Sequence, residues 1–136
     1  MNPNYLQNYT KKDIKEVLSK IPACIRNGRY TVSTNNNRVE NINFINDYNL
    51  RDKKIRKIIL NMKVEDFCHA LHNTNPKHSD KILWVFVPQV ELSDVDGDSI
   101  TVDVYTKFNI VNSQSSDYTI VISFHKRNKP IDYLFR

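Results

Sequence analysis

An α+β fold, with helices packed on a small and mainly antiparallel sheet, is predicted by three features of how apolar residues recur. Two stretches carry them at helical spacing: Ile14, Val17, Leu18 and Ile21, then Ile55, Ile58, Ile59 and Met62. One stretch after Lys81, I-L-W-V-F-V, is almost continuously apolar, as in a strand buried on both faces. Two later stretches, Ile100 to Val111 and Tyr118 to Lys126, alternate apolar and polar residues, as half-buried strands do. The predicted order is helix, strand, helix, helix and then a three-stranded meander.

The first helix starts at a capping-box pattern, Thr10-Lys11-Lys12-Asp13, with Asp in place of the usual Glu or Gln. It is predicted over Lys11 to Lys20, with Pro22 as its stop. Asn27-Gly28 marks a turn, and the β-formers of R-Y-T-V-S-T, Arg29 to Thr34, read as a short strand. Asn35 to Asn49 reads as a polar loop anchored by Ile42, Phe44, Ile45 and Tyr48. The second helix is predicted from Leu50 to Asn61. The third is predicted from Val64 to Asn73, with Val64, Phe67, Cys68 and Leu71 inward and His69 and His72 adjacent on its flank. Asn75-Pro76 ends that helix, and Pro88 interrupts the central strand. Val90 and Leu92 resume an alternation, and Asp96-Gly97 signals a hairpin turn.

In the last two strands, Ile100, Val102, Val104, Phe108 and Ile110 share one parity, as do Tyr118, Ile120, Ile122 and Phe124. These sets are expected to face the core. The opposite parity carries Asp103, Tyr105, Lys107, Ser123 and His125. If Asn112 to Asp117 closes an antiparallel hairpin, same-face residues pair and Tyr105 can lie roughly opposite His125 on a solvated face. Half-buried strands need a polar outer face in any case, and the same residue types also suit proton transfer around a phosphate.

At 136 residues the chain is expected to form a single domain over 1–136, with a short flexible N-terminus at about 1–9 and a basic tail at about 127–136. Hydrophobic content of 40% and charged content of 26% are those of a globular domain. Net charge is +5, and its distribution matters more than its size. Glu91 to Asp103 holds five acidic residues and no basic one, which leaves 20 basic against 10 acidic residues elsewhere. That imbalance favours a polyanion or an acidic protein partner. Arg51, Lys53, Lys54, Arg56 and Lys57 on the second helix form the densest basic segment, readable as a solvated face or as a phosphate contact. Lys126 and Arg127 extend the basic character at the chain end.

Cys24 and Cys68 stand apart from any C-x-x-C pair, so no disulfide framework or zinc knuckle is predicted, and a reducing cytoplasm is expected. The N-terminus has no apolar stretch of signal-peptide type, and no run approaches the ~18 apolar residues of a membrane span. Glycine-rich phosphate loops and G-x-S-x-G are absent, so no nucleotide cofactor is expected. Cys68, His69, His72 and His78 lie close in sequence, but Cys68 and His69 would point apart on a helix, a poor start for a tetrahedral metal site. Asp94-x-Asp96-x-Asp98 imitates a calcium loop, yet Ser99 and Tyr105 occupy the positions that need Gly and Glu.

Metal-free cleavage of RNA remains chemically open. RNA carries its own nucleophile, the 2′-hydroxyl. An enzyme must remove its proton, protonate the departing 5′-oxygen and stabilise the phosphorane charge, and His, Tyr, Lys and Arg suffice. His69, Tyr105, Lys107 and His125 are of the right types.

The segment Met62-Lys63-Val64-Glu65-Asp66-Phe67 resembles the approach to the third helix in MqsR-type toxins of type II toxin–antitoxin systems, whose fold is the RelE-like microbial ribonuclease architecture. The end I-V-I-S-F-H-K, Ile120 to Lys126, is similar to that family's last strand, V-S-F-K. The likeness covers most of residues 10 to 127. It implies an mRNA endoribonuclease that leaves cyclic-phosphate ends, needs no cofactor, acts in the cytoplasm away from membranes, and is silenced by an antitoxin protein. Tyr105 matches the family's active-site tyrosine. His125 and His69 stand where the family has lysines. The family's glutamine beside a tryptophan is not reproduced, since Val85 follows Trp84, and Gln89 cannot be carried over. The rival expectations are a non-catalytic basic RNA-binding protein and an interaction module for an acidic partner.

Overall fold

The computed structural model describes residues 5–35, 38–73, 81–112 and 116–136. Thr10 caps the first helix, α1 (Lys11–Arg26), through a reciprocal pair: the Thr10 hydroxyl accepts from the Asp13 N–H and the Asp13 carboxylate accepts from the Thr10 N–H. The helix runs past the predicted stop. Pro22 sits inside it because Ile21, Cys24 and Ile25 continue the buried stripe begun by Ile14 and Val17. The Asn27-Gly28 turn ends it instead. Gly28, at φ +69°, lets the Arg29 N–H reach the Cys24 carbonyl and the Gly28 N–H reach that of Ile25.

After β1 (Tyr30–Val32), the predicted loop contains a helix, α2 (Val39–Asp47). Its inward face holds Phe44 and a fully buried polar residue, Asn41. α3 (Asp52–Leu60) follows, with Ile55, Ile58 and Ile59 inward as expected. The predicted third helix is not formed. Val64–Asp66 is a single 3₁₀ turn and β2 (Phe67–His72) is a strand. A bulge between Phe67 and His69 puts Phe67, Cys68, His69 and Ala70 all in the interior, and that run imitates helical spacing. His69 is therefore buried while His72 is exposed, rather than adjacent to it.

Four strands complete the fold: β3 (Ile82–Phe86), β4 (Gln89–Ser93), β5 (Ser99–Asn112) and β6 (Asp117–Lys126). The mixed sheet runs β1-β6-β5-β3-β2, with β1 parallel to β6 and the other pairs antiparallel. β3 and β4 share one register against β5, so they act as a single strand interrupted at Val87-Pro88. The β4–β5 hairpin turns at Asp94 to Asp98. There the Asp94 carboxylate accepts the N–H groups of Asp96 and Asp98, which ties those acids to turn formation.

α1, α2 and α3 cover one face of the sheet over Phe86, Val102, Val104, Phe108, Val121 and Phe124. The expected parity holds in β5, whereas in β6 it holds at Phe124 and is reversed before Ser123. A bulge lets Lys107 pair with Ser123 and Phe108 with Val121, leaving Ile122 over. Thr119 and Val121 are buried in place of Tyr118, Ile120 and Ile122, which are only half-buried. Both chain ends pack on the β2 edge. Leu6 exchanges two backbone bonds with Ala70, and the Leu134 N–H donates to the Phe67 carbonyl. No helix among the described residues is long and apolar enough to cross a membrane.

Candidate functional site

On the sheet face away from the helices, Tyr105 and His125 are direct cross-strand partners, set in register by the bulge that follows the Lys107 rung. Their rings stack at 5.3 Å with an interplanar angle of 18°. Lys107 and Ser123 form the next same-face pair, and His69 reaches the same face from β2 opposite Val85. Cys68, Val85, Val87 and Tyr105 make the apolar floor. Four of the sequence-derived candidates, Tyr105, His125, Lys107 and His69, are thus on one face.

That face is covered rather than solvated. Tyr105 is 2% exposed and His69 is 1% exposed. Tyr5 stacks on His69 at 3.7 Å between ring centroids. The C-terminal segment crosses above, with Lys129 Nζ 5.2 Å from the Tyr105 ring centroid and Ile131 and Tyr133 packed on the floor. Contacts along its length hold the segment down. Arg127 pairs with Asp103 at 3.0 Å, the Tyr133 hydroxyl donates to the Val87 carbonyl at 2.7 Å, Leu134 bonds Phe67, and Arg136 pairs with Asp66 at 3.0 Å.

Two polar atoms under this cover, His69 Nε2 and the Tyr105 hydroxyl, are buried without a hydrogen-bond partner among the described residues. Unpartnered buried polar atoms are costly and rare, and a catalytic role or a bound group is among the reasons a native fold keeps one. Burial pushes the His69 imidazole down to about 4, helped by the charges of Lys129 and Lys107 and opposed by Asp132. It is therefore neutral near pH 7. Burial pushes the Tyr105 phenol up to about 12, with Tyr5 and Cys68 adding to the shift, so it remains a proton donor. Lys107 is lowered by burial and then by the neighbouring Arg38 and Lys129 charges. A cluster of cations against neutral rings is a field that attracts an anion.

His125 has an orienting shell that sequence reasoning missed. Its Nδ1 lies 2.9 Å from the Lys126 carbonyl and 3.4 Å from a Glu40 carboxylate oxygen. α2 delivers Glu40 because the next residue, Asn41, is clamped. Its amide donates to the Ser33 and Ile122 carbonyls, and its carbonyl oxygen accepts the Phe124 N–H. Only the local apolar residues of α2 were visible in the sequence. A buried Asn without apolar periodicity gives no signal at that level. A cavity of about 370 Å³ opens beside His125, lined by Glu40, Asp47, Tyr48, Lys126 and Arg127 among others.

The cations of α3 do not join this cluster. α3 packs on the helix side of the sheet, and Arg51, Lys53, Lys54 and Lys57 line a groove along β4 instead. Arg127 is committed to Asp103, whereas Lys126 is exposed. Among the described residues no three His, Cys, Asp or Glu side chains converge as a metal-ligand group, and His78 lies outside them. No protein-family model matches the chain, and neither the curated proteins nor the solved structures searched contain a match to it.

Proposed function

We propose that this chain is a metal-independent endoribonuclease of the RelE-like, MqsR-type class, the toxin of a toxin–antitoxin pair in the cytoplasm. The observation that carries the reading is the stacked Tyr105–His125 pair beside two unpartnered buried polar atoms and two lysines. In this reading, the Nδ1 side of His125 is held by the Lys126 carbonyl and Glu40, which leaves Nε2 to take the 2′-hydroxyl proton. The freed oxygen attacks phosphorus and the P–O5′ bond breaks, giving a 2′,3′-cyclic phosphate and a 5′-hydroxyl. Lys107, whose burial weakens its hold on its proton, donates to the leaving 5′-oxygen. Lys129 and the Tyr105 hydroxyl hold the non-bridging oxygens, and His69 Nε2 accepts from a ribose hydroxyl.

The cover sets the condition for activity. Tyr105 and His69 meet a phosphate only when Tyr5 and residues 129–133 lift from the face. The same burial favours a second reading, a non-catalytic basic RNA-binding protein or interaction module in which Tyr105 and His69 are core residues. Incubation with single-stranded RNA in EDTA separates the two. Cleavage to cyclic-phosphate ends supports the nuclease. Salt-sensitive retention of intact RNA supports the binder.

A further inference from the structure

The sheet has a vacant strand position. β2 starts opposite Phe86, and the rung before it is the Val87 N–H donating to the Asp66 carbonyl at 2.8 Å. The chain before it turns away through Val64–Asp66 into α3, while β4 runs on for five more residues. The register of β4 fixes which groups it leaves free. Pro88 and Asp94 bond Val104 and Asp98 on the β5 side, so Val90 and Leu92 also point their backbone groups to β5. Gln89, Glu91 and Ser93 point theirs outward, and among the described residues no backbone group pairs with them.

Beside this edge lie two adjoining cavities of about 860 Å³ and 510 Å³, which share Lys54, Lys57 and Glu91 in their linings. The far wall is cationic: Arg51, Lys53, Lys54, Lys57 and Lys63. Of the three acids lining the cavities, Asp66 is paired with Arg136, Glu91 accepts from the Ser99 hydroxyl, and Glu65 is exposed at the rim, outnumbered by the lysines and arginines.

We propose that this slot docks one extended, acidic segment of a partner protein, which adds to β4 as a further strand and sets its carboxylates against Lys54 and Lys57. Alternating N–H and C=O groups at strand spacing match a polypeptide backbone, and a phosphodiester chain does not present alternating donors and acceptors at that spacing. A second copy of this chain fits poorly. Antiparallel pairing of β4 with itself would set Glu91 opposite Glu91. The inference stands whether or not the chain cleaves RNA.

The test is fluorescence anisotropy with the full chain and a short labelled peptide of alternating Glu and Thr. A twin N-methylated on the residues that would face β4 serves as the control. The unmodified peptide is expected to bind. The twin should bind about tenfold more weakly, the loss of one or two hydrogen bonds. Glu91→Pro removes one outward N–H without touching the β5 rungs and should weaken binding similarly, as should Lys54→Glu with Lys57→Glu. Thr101→Pro, on the opposite edge of the hairpin, should leave it unchanged. Absence of binding overturns the proposal. So does equal binding of the twin, which would mean that the lysines attract charge alone, and so does dimerisation of the free chain through β4.

Discussion

Asn41 accepts the backbone N–H of Phe124 at 2.8 Å, and through this bond α2 grips the bulge in β6. The same amide donates to the Ile122 and Ser33 carbonyls at 2.9 Å each. A bulge frees backbone groups that the ladder cannot satisfy, and a buried carboxamide supplies both a donor and an acceptor for them. Its chain neighbour Glu40 and the neighbour of Phe124, His125, meet as a consequence.

Asn41→Ala is therefore expected to destabilise the fold by about 3 kcal/mol, because it strands buried backbone groups. The urea midpoint reads this. Cleavage should fall as well in the folded fraction, since His125 loses its fixed approach to Glu40. A midpoint equal to that of the parent would mean that water replaces the carboxamide at no cost.

His125→Ala tests the site itself. Loss of a general base is expected to slow RNA cleavage by about 10² to 10⁴. The fold should lose about 2 kcal/mol, because the largely buried imidazole gives up its packing and its stack on Tyr105, so cleavage is compared on the folded fraction. Tyr105→Phe keeps that stack and removes the unpartnered hydroxyl, so it should cost activity without costing stability. If both folded variants cleave at the parent rate, this sheet face is not catalytic.

The C-terminal cover gives a prediction of opposite sign. Arg136→Ala removes the Asp66 pair and Tyr133→Phe removes the Val87 bond. Together they should speed hydrogen exchange in residues 128–136 and raise the cleavage rate, because the face opens more often. Faster exchange without faster cleavage would show that access does not limit the reaction.

Legibility in the sequence follows the range of the interaction concerned. Tyr105 and His125 were readable as near neighbours because alternation and a single hairpin bring their strand segments together. Their direct pairing was not, since Asn112 opposite Asp117 alone would set Tyr105 against Phe124, and the bulge after Lys107 shifts the register by one. Neither bulge was readable. An extra residue in β6 reverses the inward parity before Ser123, and one in β2 makes a strand look like a helix from Phe67 to Leu71. α2 was hidden because its deepest residue is the polar Asn41, and α1 outlasts Pro22 because Ile25 still has a core to enter. The cover over Tyr105 and His69 comes from residues far away in the chain, Tyr5 and Lys129 to Tyr133, and no local pattern foretells such contacts.

His69 carries the pH prediction. Its imidazole is pushed down to about 4 by burial, with Lys129 and Lys107 adding and Asp132 opposing, while Tyr5 stacks on the ring. Above about pH 6.5 the imidazole is neutral in both folded and unfolded chains, so it imposes no pH dependence there. Between about 6.5 and 4 the unfolded chain takes up a proton that the folded chain refuses. Stability must then fall as pH drops through this window, by up to about 3 kcal/mol, and level off below it. Other groups titrate there too, so the comparison needs a partner variant. His69→Phe keeps a ring against Tyr5 and removes the titration. Its urea midpoint should decline less between about pH 7 and about pH 4.5 than that of the parent. Equal slopes in the two proteins would mean that the folded state protonates His69 as readily as the unfolded one, which requires the cover to lift in acid.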